Sequence, residues 1–289
     1  MLIRGQIMRL DGGLATAIIG VTMAFVQPQT TIALSTVEVG KLAKAITVQI
    51  YKKSGPGSGV ILKKEGNTYT VLTARHVIET EAKYEIITPD AQRYPLNYNT
   101  VKKFPDVDLA IVQFTSTQSY AVAKIGNSDE ATEGTAVYVA GFPQTTAAIS
   151  NSSYSFLTGQ ISSNAPQRDG YALVYTNNTL PGMSGGPVLN DKGELVGIHG
   201  RADMTENFQI SDRNPNIIIK SGFNLGIPIK ILTNSQIGKN LGLTIQNSPV
   251  TRVAPTKFTE PSTPPITGRP PTINGSAGTT GYGCPGKRC

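Results

Sequence analysis

Between residues 34 and 247 the apolar positions fall in short runs, many of them alternating or β-branched, and this pattern predicts strands. The runs are Ala45–Tyr51, Gly59–Lys63, Thr68–Thr73, Tyr84–Ile87, Leu109–Phe114, Ala136–Ala140, Ser155–Ser162, Ala172–Thr176, Gly185–Leu189, Leu195–His199 and Gly222–Ile227. Turn-forming residues separate them, as in Lys64-Glu65-Gly66-Asn67 and Asn190-Asp191-Lys192-Gly193. Helical periodicity is sparse: Val37–Lys44 reads as a short entry helix, and Pro228–Leu241 as a closing one with proline at an early position. Many short strands at this spacing predict an all-β barrel or sandwich, and the two halves could each close a barrel.

The two ends depart from this pattern. Arg4 and Arg9 precede an apolar stretch, Gly12–Val26, which stops at Gln27-Pro28-Gln29 and is followed by small residues at Thr31-Ile32-Ala33. A charged start, a short apolar run and small residues predict an export signal over 1–33, with a retained N-terminal anchor as the alternative. The run is shorter than the ~20 residues a spanning helix needs, and no other stretch could cross a membrane, so no integral span is expected once the signal is removed. Residues 248–289 are dominated by Pro, Thr, Gly and Ser and lose all apolar periodicity. Such a segment buries too little to offset its ordering entropy, which predicts a flexible tail. Both cysteines, Cys284 and Cys289, lie in it, where a small disulfide loop suits an exported protein.

The formal charge of +7 suggests an anionic partner until it is located. Residues 1–33 hold +1 and 248–289 hold +4, leaving +2 scattered over 34–247. With no basic helix and no aromatic stripe, nucleic acid is not an expected partner; anionic envelope surfaces are, for the tail. Two His and two Cys, far apart in sequence, leave little for a zinc site, so no metal is expected.

Three segments carry chemistry: VLTARHVI with His76, DVDLAIVQF with Asp106 and Asp108, and LPGMSGGPVLN with Ser184. A serine hydroxyl is a poor nucleophile and needs a base within hydrogen-bond reach. Imidazole, with an unperturbed pKa of about 6.5, suits that task, and a carboxylate on its other nitrogen fixes its tautomer. Glycines beside Ser184 let backbone N–H groups turn toward a developing oxyanion. Each part alone is a weak signal, the Gly-x-Ser-Gly-Gly-Pro run being the least common; the conjunction, on a strand-rich chain with the pattern of an export signal, points to Ser–His–Asp acyl transfer.

On GSGVIL (Gly57–Leu62), TARHV (Thr73–Val77), DLAIV (Asp108–Val112), GMSGGPVLN (Gly182–Asn190) and LVGIH (Leu195–His199), the chain resembles the chymotrypsin/trypsin-like serine peptidases. It is similar to their bacterial, disulfide-free branch, which includes glutamyl endopeptidases and Deg-type proteases. The resemblance spans about 34–245. It implies two six-stranded antiparallel β-barrels with a short C-terminal helix and an irregular tail: barrel 1 over about 45–120, barrel 2 over about 121–232, and the closing helix over about 228–241. It also implies Ser184 as nucleophile, His76 as general base, Asp108 as its orienting partner with Asp106 the lesser alternative, and the N–H groups of Gly182 and Ser184 as oxyanion hole. The expected reaction is hydrolysis of protein or peptide substrates by a monomer, with no cofactor.

Two positions depart from the animal members. Met183 replaces the Asp that pairs with a freshly cut N-terminus, so that switch is not available in that form. Asn178 replaces the Asp that attracts basic side chains in trypsin-type pockets. In glutamyl endopeptidases a His at the place of His199 and a Thr at the place of Thr179 bind the substrate's Glu. The resemblance therefore implies a pocket of Asn178, Thr179, His199 and Gly200 and cleavage after Glu or Asp; a strand-end role is the plain alternative for His199. Arg201 could attract acid or face solvent, and the polar insertion 203–220 shapes the far side of the cleft or forms an exposed loop. The competing functions are a Deg-type quality-control protease, whose relatives usually carry a further peptide-binding domain, and a catalytically silent binding module.

Overall fold

The computed structural model describes residues 34–146, 150–204 and 220–245. The leader expected over 1–33, the tail over 248–289 with Cys284 and Cys289, and residues 205–219 of the polar insertion lie outside the described residues.

The described chain opens with α1 (Thr36–Ile46). Ser35 caps it in a reciprocal box: its hydroxyl accepts from the Glu38 N–H and the Glu38 carboxylate accepts from the Ser35 N–H. Val39, Ala43 and Ile46 form one buried stripe at helical spacing. Ile46 completes that stripe, which is why the helix runs two residues into the segment whose β-branched pattern predicted a strand.

Seven strands follow: β1 (Thr47–Tyr51), β2 (Gly57–Glu65), β3 (Thr68–Ala74), β4 (Glu85–Ile87), β5 (Arg93–Pro95), β6 (Lys102–Lys103) and β7 (Leu109–Thr115). They form one antiparallel sheet in the order β5-β4-β1-β2-β3-β7-β6. The second lobe comprises β8 (Ala136–Gly141), β9 (Ser155–Asn164), β10 (Leu173–Tyr175), β11 (Pro187–Leu189), β12 (Leu195–Met204) and β13 (Lys220–Pro228), closed as β10-β13-β12-β11-β8-β9. The fold is thus mostly β, with one closed six-stranded barrel and one half-barrel. The half-barrel differs from the closed first barrel expected from the sequence because its edge strands are very short. They also carry Pro95, Lys102 and Lys103, residues that blunt further pairing. Neither edge strand has enough apolar residues to be legible as a run.

The closing helix resolves into α2 (Ile229–Asn234) and α3 (Gln236–Asn240), broken at Ser235. The Ser235 hydroxyl donates to the Leu232 carbonyl and accepts from the Gly238 N–H, offering the backbone an alternative to helix at that point.

Ile50, Ile61, Tyr69, Val71, Ile86 and Phe114 fill the half-barrel, and Val137, Val139, Leu173, Tyr175, Met183 and Val188 fill the closed barrel. A third cluster lies between them. It joins α1 and α2 to Leu72, Leu109, Ala140, Tyr171 and Ile198, so the two lobes share one apolar layer. Among the described residues no helix is long and apolar enough to cross a membrane.

Candidate active site

His76 sits on a 3-10 turn, Arg75–Ile78, directly after β3. The antiparallel register pairs Ala74 of β3 with Leu109 of β7, which brings Asp108 beside that turn. The Arg75 N–H donates to the Asp108 carbonyl (3.1 Å), and the His76 N–H donates to Asp108 Oδ1 (2.9 Å). The imidazole Nδ1 lies 2.7 Å from Asp108 Oδ2. With the proton on Nδ1, this bond leaves Nε2 as an acceptor. Only 3% of the Asp108 side chain is exposed against 44% for His76, so the carboxylate is sealed while the imidazole faces the cleft. Asp106 is exposed on the preceding turn with a positive φ of 53°, and it is Asp108 that holds His76.

Asp108 takes two further partners from the second lobe. The Tyr171 hydroxyl donates to Oδ2 (2.6 Å), and Arg201 Nη2 lies 3.5 Å from the same oxygen. Burial alone would push the carboxyl up. The hydrogen bond and charge of His76, and then the Tyr171 hydroxyl, outweigh burial and hold it at about 2. Burial and the adjacent carboxylate push the Tyr171 phenol well above its ordinary value.

Ser184 lies on the loop between β10 and β11, and Ser58 of β2 anchors that loop. The Ser58 N–H donates to the Ser184 carbonyl (2.8 Å), and its hydroxyl donates to the Gly182 carbonyl (2.9 Å) while accepting from the Phe142 N–H (2.8 Å). The Pro181 carbonyl accepts from the Gln144 N–H (2.7 Å). In a trans peptide the N–H points opposite the C=O, so this bond turns the Gly182 N–H away from Gln144. Neither the Gly182 nor the Ser184 N–H donates to a described backbone carbonyl or side chain. Gly182 has φ +94°, and a Cβ there would sit 2.6 Å from the Phe142 carbonyl oxygen; no other residue type fits that backbone. Met183 points into the closed barrel's core, fully buried, where the animal enzymes have a charged side chain. The Ser184 hydroxyl donates to the Gly200 carbonyl (2.7 Å) and makes no hydrogen bond to His76.

Of the expected pocket residues, the structure brings Thr179 and His199 into one buried network. His199 Nδ1 lies 2.7 Å from the Tyr175 hydroxyl, and the Thr179 hydroxyl donates to Asn224 Oδ1. Tyr175 and Asn224 are cross-strand partners on β10 and β13, which closes the group. Asn178 stays outside it, exposed; the neighbouring Asn177 takes the buried place and donates to the Val137 (3.1 Å) and Leu157 (3.0 Å) carbonyls. Tyr171, Tyr175, Asn224 and the anchoring role of Ser58 escaped the reading of the sequence. Only Ser58 carried a local signal, its place within GSGVIL.

Residues 57–198 match the trypsin-like peptidase domain family. The serine protease Do-like HtrA of Bacillus subtilis is 29% identical over 152 residues, covering 51% of this chain and 33% of that protein. A probable periplasmic serine endoprotease DegP-like of Chlamydia pneumoniae is 28% identical over 156 residues, covering 51% of this chain and 29% of its own. The chain thus spans about a third of the length of these two relatives. Among solved structures, an HtrA-type protease (AlgW) with a tripeptide superposes with a TM-score of 0.56 at 20% identity, over 72% of this chain and 65% of that one. Over residues 57–198 the chain thus matches the trypsin-like serine peptidases in sequence, and its fold is similar to that of an HtrA-type protease.

The depressed Asp108 carboxyl makes stability pH-dependent. Its folded value of about 2 lies below the ordinary 3.8, so the ionised group stabilises the fold above the ordinary value, and that contribution is lost as pH falls toward 2. Solvent on the His76 side screens the pair, which leaves a contribution on the order of 1–2 kcal/mol. Denaturant melts at pH 6, 4 and 2 should show Asp108→Asn less stable than the natural protein at pH 6 and the gap closing by pH 2. A gap that stays constant would contradict this assignment.

Proposed function

We propose that the protein is a serine endopeptidase of the HtrA/Deg type, with Ser184 as nucleophile and His76 as base. The observation that carries the reading is the sealed Asp108–His76 pair, with its imidazole facing the cleft, together with a serine loop whose Gly182 and Ser184 N–H groups are left to bind an oxyanion. In this reading a change of χ1 moves Ser184 Oγ from the Gly200 carbonyl toward His76 Nε2. As Oγ attacks the scissile carbonyl carbon, its proton passes to Nε2, and Asp108 stabilises the imidazolium. The carbonyl oxygen becomes an oxyanion held by the two N–H groups. Collapse breaks the C–N bond, and the Nε2 proton goes to the leaving amine. Water, deprotonated by the same nitrogen, then hydrolyses the acyl-enzyme. A fluorophosphonate probe should label the protein, and Ser184→Ala should abolish labelling and lower casein hydrolysis by several orders of magnitude. A folded natural protein that takes no label would support the silent-module alternative instead.

A preference for Glu or Asp before the scissile bond is the finer part of the proposal, and it rests on His199. His199 is buried with Thr179 in one group, its Nδ1 2.7 Å from the Tyr175 hydroxyl, and these are the two positions that the resemblance to glutamyl endopeptidases assigns to carboxylate binding. The hydroxyl of Thr179 is directed to Asn224. A panel of peptides differing at the residue before the cut should favour Glu and Asp, and His199→Ala should remove the bias; cleavage indifferent to that residue, or a bias intact in the variant, would refute it.

Export is also part of the proposal. It is supported by the leader pattern in 1–33 and by the similarity to the probable periplasmic DegP-like endoprotease of Chlamydia pneumoniae. Fractionation of cells expressing the full chain should recover it outside the cytoplasm, and deletion of 1–33 should retain it inside. Equal distribution of the two forms would remove this element.

A further inference from the structure

Arg201 follows the expected pocket residues on β12; its side chain is about half exposed, yet its guanidinium is also engaged with the buried carboxylate of the site. The β12–β13 register slips by one residue between His199 and Arg201. In a regular strand residues 199 and 201 would share a face; the extra residue, Gly200, breaks that alternation. His199 therefore points into the barrel, 2% exposed, while Arg201 emerges over the Tyr171 ring with its guanidinium carbon 4.5 Å from the centroid. From there Nη2 reaches Asp108 Oδ2 (3.5 Å) and Asp169 Oδ2 (3.2 Å). Gly200 also makes room for the tyrosine: a Cβ at that position would lie 2.0 Å from the Tyr171 hydroxyl oxygen. The chain adds one backbone tie, from the Asp108 N–H to the Asp169 carbonyl (3.0 Å). The charged or titratable groups facing Asp108 are thus His76 from the first lobe and Tyr171, Arg201 and Asp169 from the second. The Arg75 side chain is turned elsewhere, toward Glu79 and the Phe104 carbonyl.

We propose that Tyr171 and Arg201 are positioning residues, a clamp carried by the closed barrel that holds Asp108 against His76. Arg201 in addition offsets part of the carboxylate's pull on the imidazolium. Asp108 Oδ2 serves three partners at once, so charge given to Arg201 is charge withheld from protonated His76. The tyrosine fixes the direction of the carboxylate and the arginine sets how strongly it favours the protonated base. The inference rests on the Ser184–His76–Asp108 reading and deepens it.

The test is the rate of fluorophosphonate labelling of the full chain as a function of pH. Four proteins are compared: the natural one, Tyr171→Phe, Arg201→Gln and Arg201→Lys. Tyr171→Phe removes one hydrogen bond to a charged group and should slow labelling about tenfold at every pH. Arg201→Gln should move the acid limb of the profile upward by about half a pH unit, because the unshared carboxylate retains the imidazolium longer. Arg201→Lys keeps the charge and should restore the limb. A purely structural role would lower the melting temperature and leave the limb in place. An Arg201→Gln limb coincident with the natural one, or a Tyr171→Phe rate equal to it, overturns the clamp. A limb that tracks thermal unfolding, measured at each pH, overturns it as well. A natural protein that takes no label sinks the peptidase reading beneath it, and that result is distinct from a labelled protein with unmoved variants.

Discussion

The burial of one carboxylate, Asp108, places the strongest demand on this structure. An ionised group taken out of water costs several kcal/mol unless it is paired and hydrogen-bonded. The half-barrel supplies the His76 backbone N–H on one oxygen and its ring on the other. It has no further donor to offer Oδ2; the remaining ones, Tyr171 and Arg201, belong to the closed barrel. Satisfying the charge therefore ties the lobes at the cleft, where the shared apolar layer that includes Leu109 and Tyr171 also lies. Packing brings the lobes together without direction, and the carboxylate adds the directional requirement that fixes His76 relative to the second lobe.

The nucleophile loop meets a different problem by different means. In the resembling animal enzymes a charge pair braces this loop, yet here Met183 is fully buried among Val137, Val139 and Val188. An uncharged, flexible side chain fills the gap, and polar bracing passes to Ser58. Its N–H, hydroxyl and carbonyl all take part, the carbonyl accepting from Thr73 Oγ1 (2.7 Å), so the loop of the second lobe is held by a strand of the first. Both halves of the site thus depend on contacts across the cleft: Asp108 reaches into the closed barrel, and the Ser184 loop reaches back to β2.

Residues that act through local geometry were legible in the sequence; those that act across the fold were not. His76, Asp108 and Ser184 each sit in a short motif, because a turn after a strand, a strand entrance and a glycine-rich loop are all local requirements. The strands of the barrel were legible for the same reason, since each buries an apolar face. Tyr171 and Arg201 lie 63 and 93 positions from Asp108 in the chain, and neither has a local pattern that would announce a partner. The sequence placed Thr179 and His199 in one pocket by resemblance, but Tyr175 and Asn224, which complete their network, become neighbours only through the β10–β13 register. The edge strands β5 and β6 were lost because they are short and polar, too weak in apolar character to register as runs.

The bond from the Ser184 hydroxyl to the Gly200 carbonyl is compatible with this chemistry. A neutral hydrogen bond of this kind contributes on the order of 1 kcal/mol net, and the bond to an imidazole nitrogen that replaces it is of similar worth. Exchanging one for the other by a side-chain rotation is therefore nearly balanced. A misdirected peptide plane in the loop would be a larger obstacle, because the Pro181 carbonyl would give up the Gln144 N–H and the Gly182 carbonyl the buried Ser58 hydroxyl. Those two carbonyls are instead held by Gln144 and Ser58, with the Gly182 N–H already turned outward from the bracing. On the proposed reading, the backbone of the serine loop is thus braced from both lobes, and the change asked of the site falls on the Ser184 side chain.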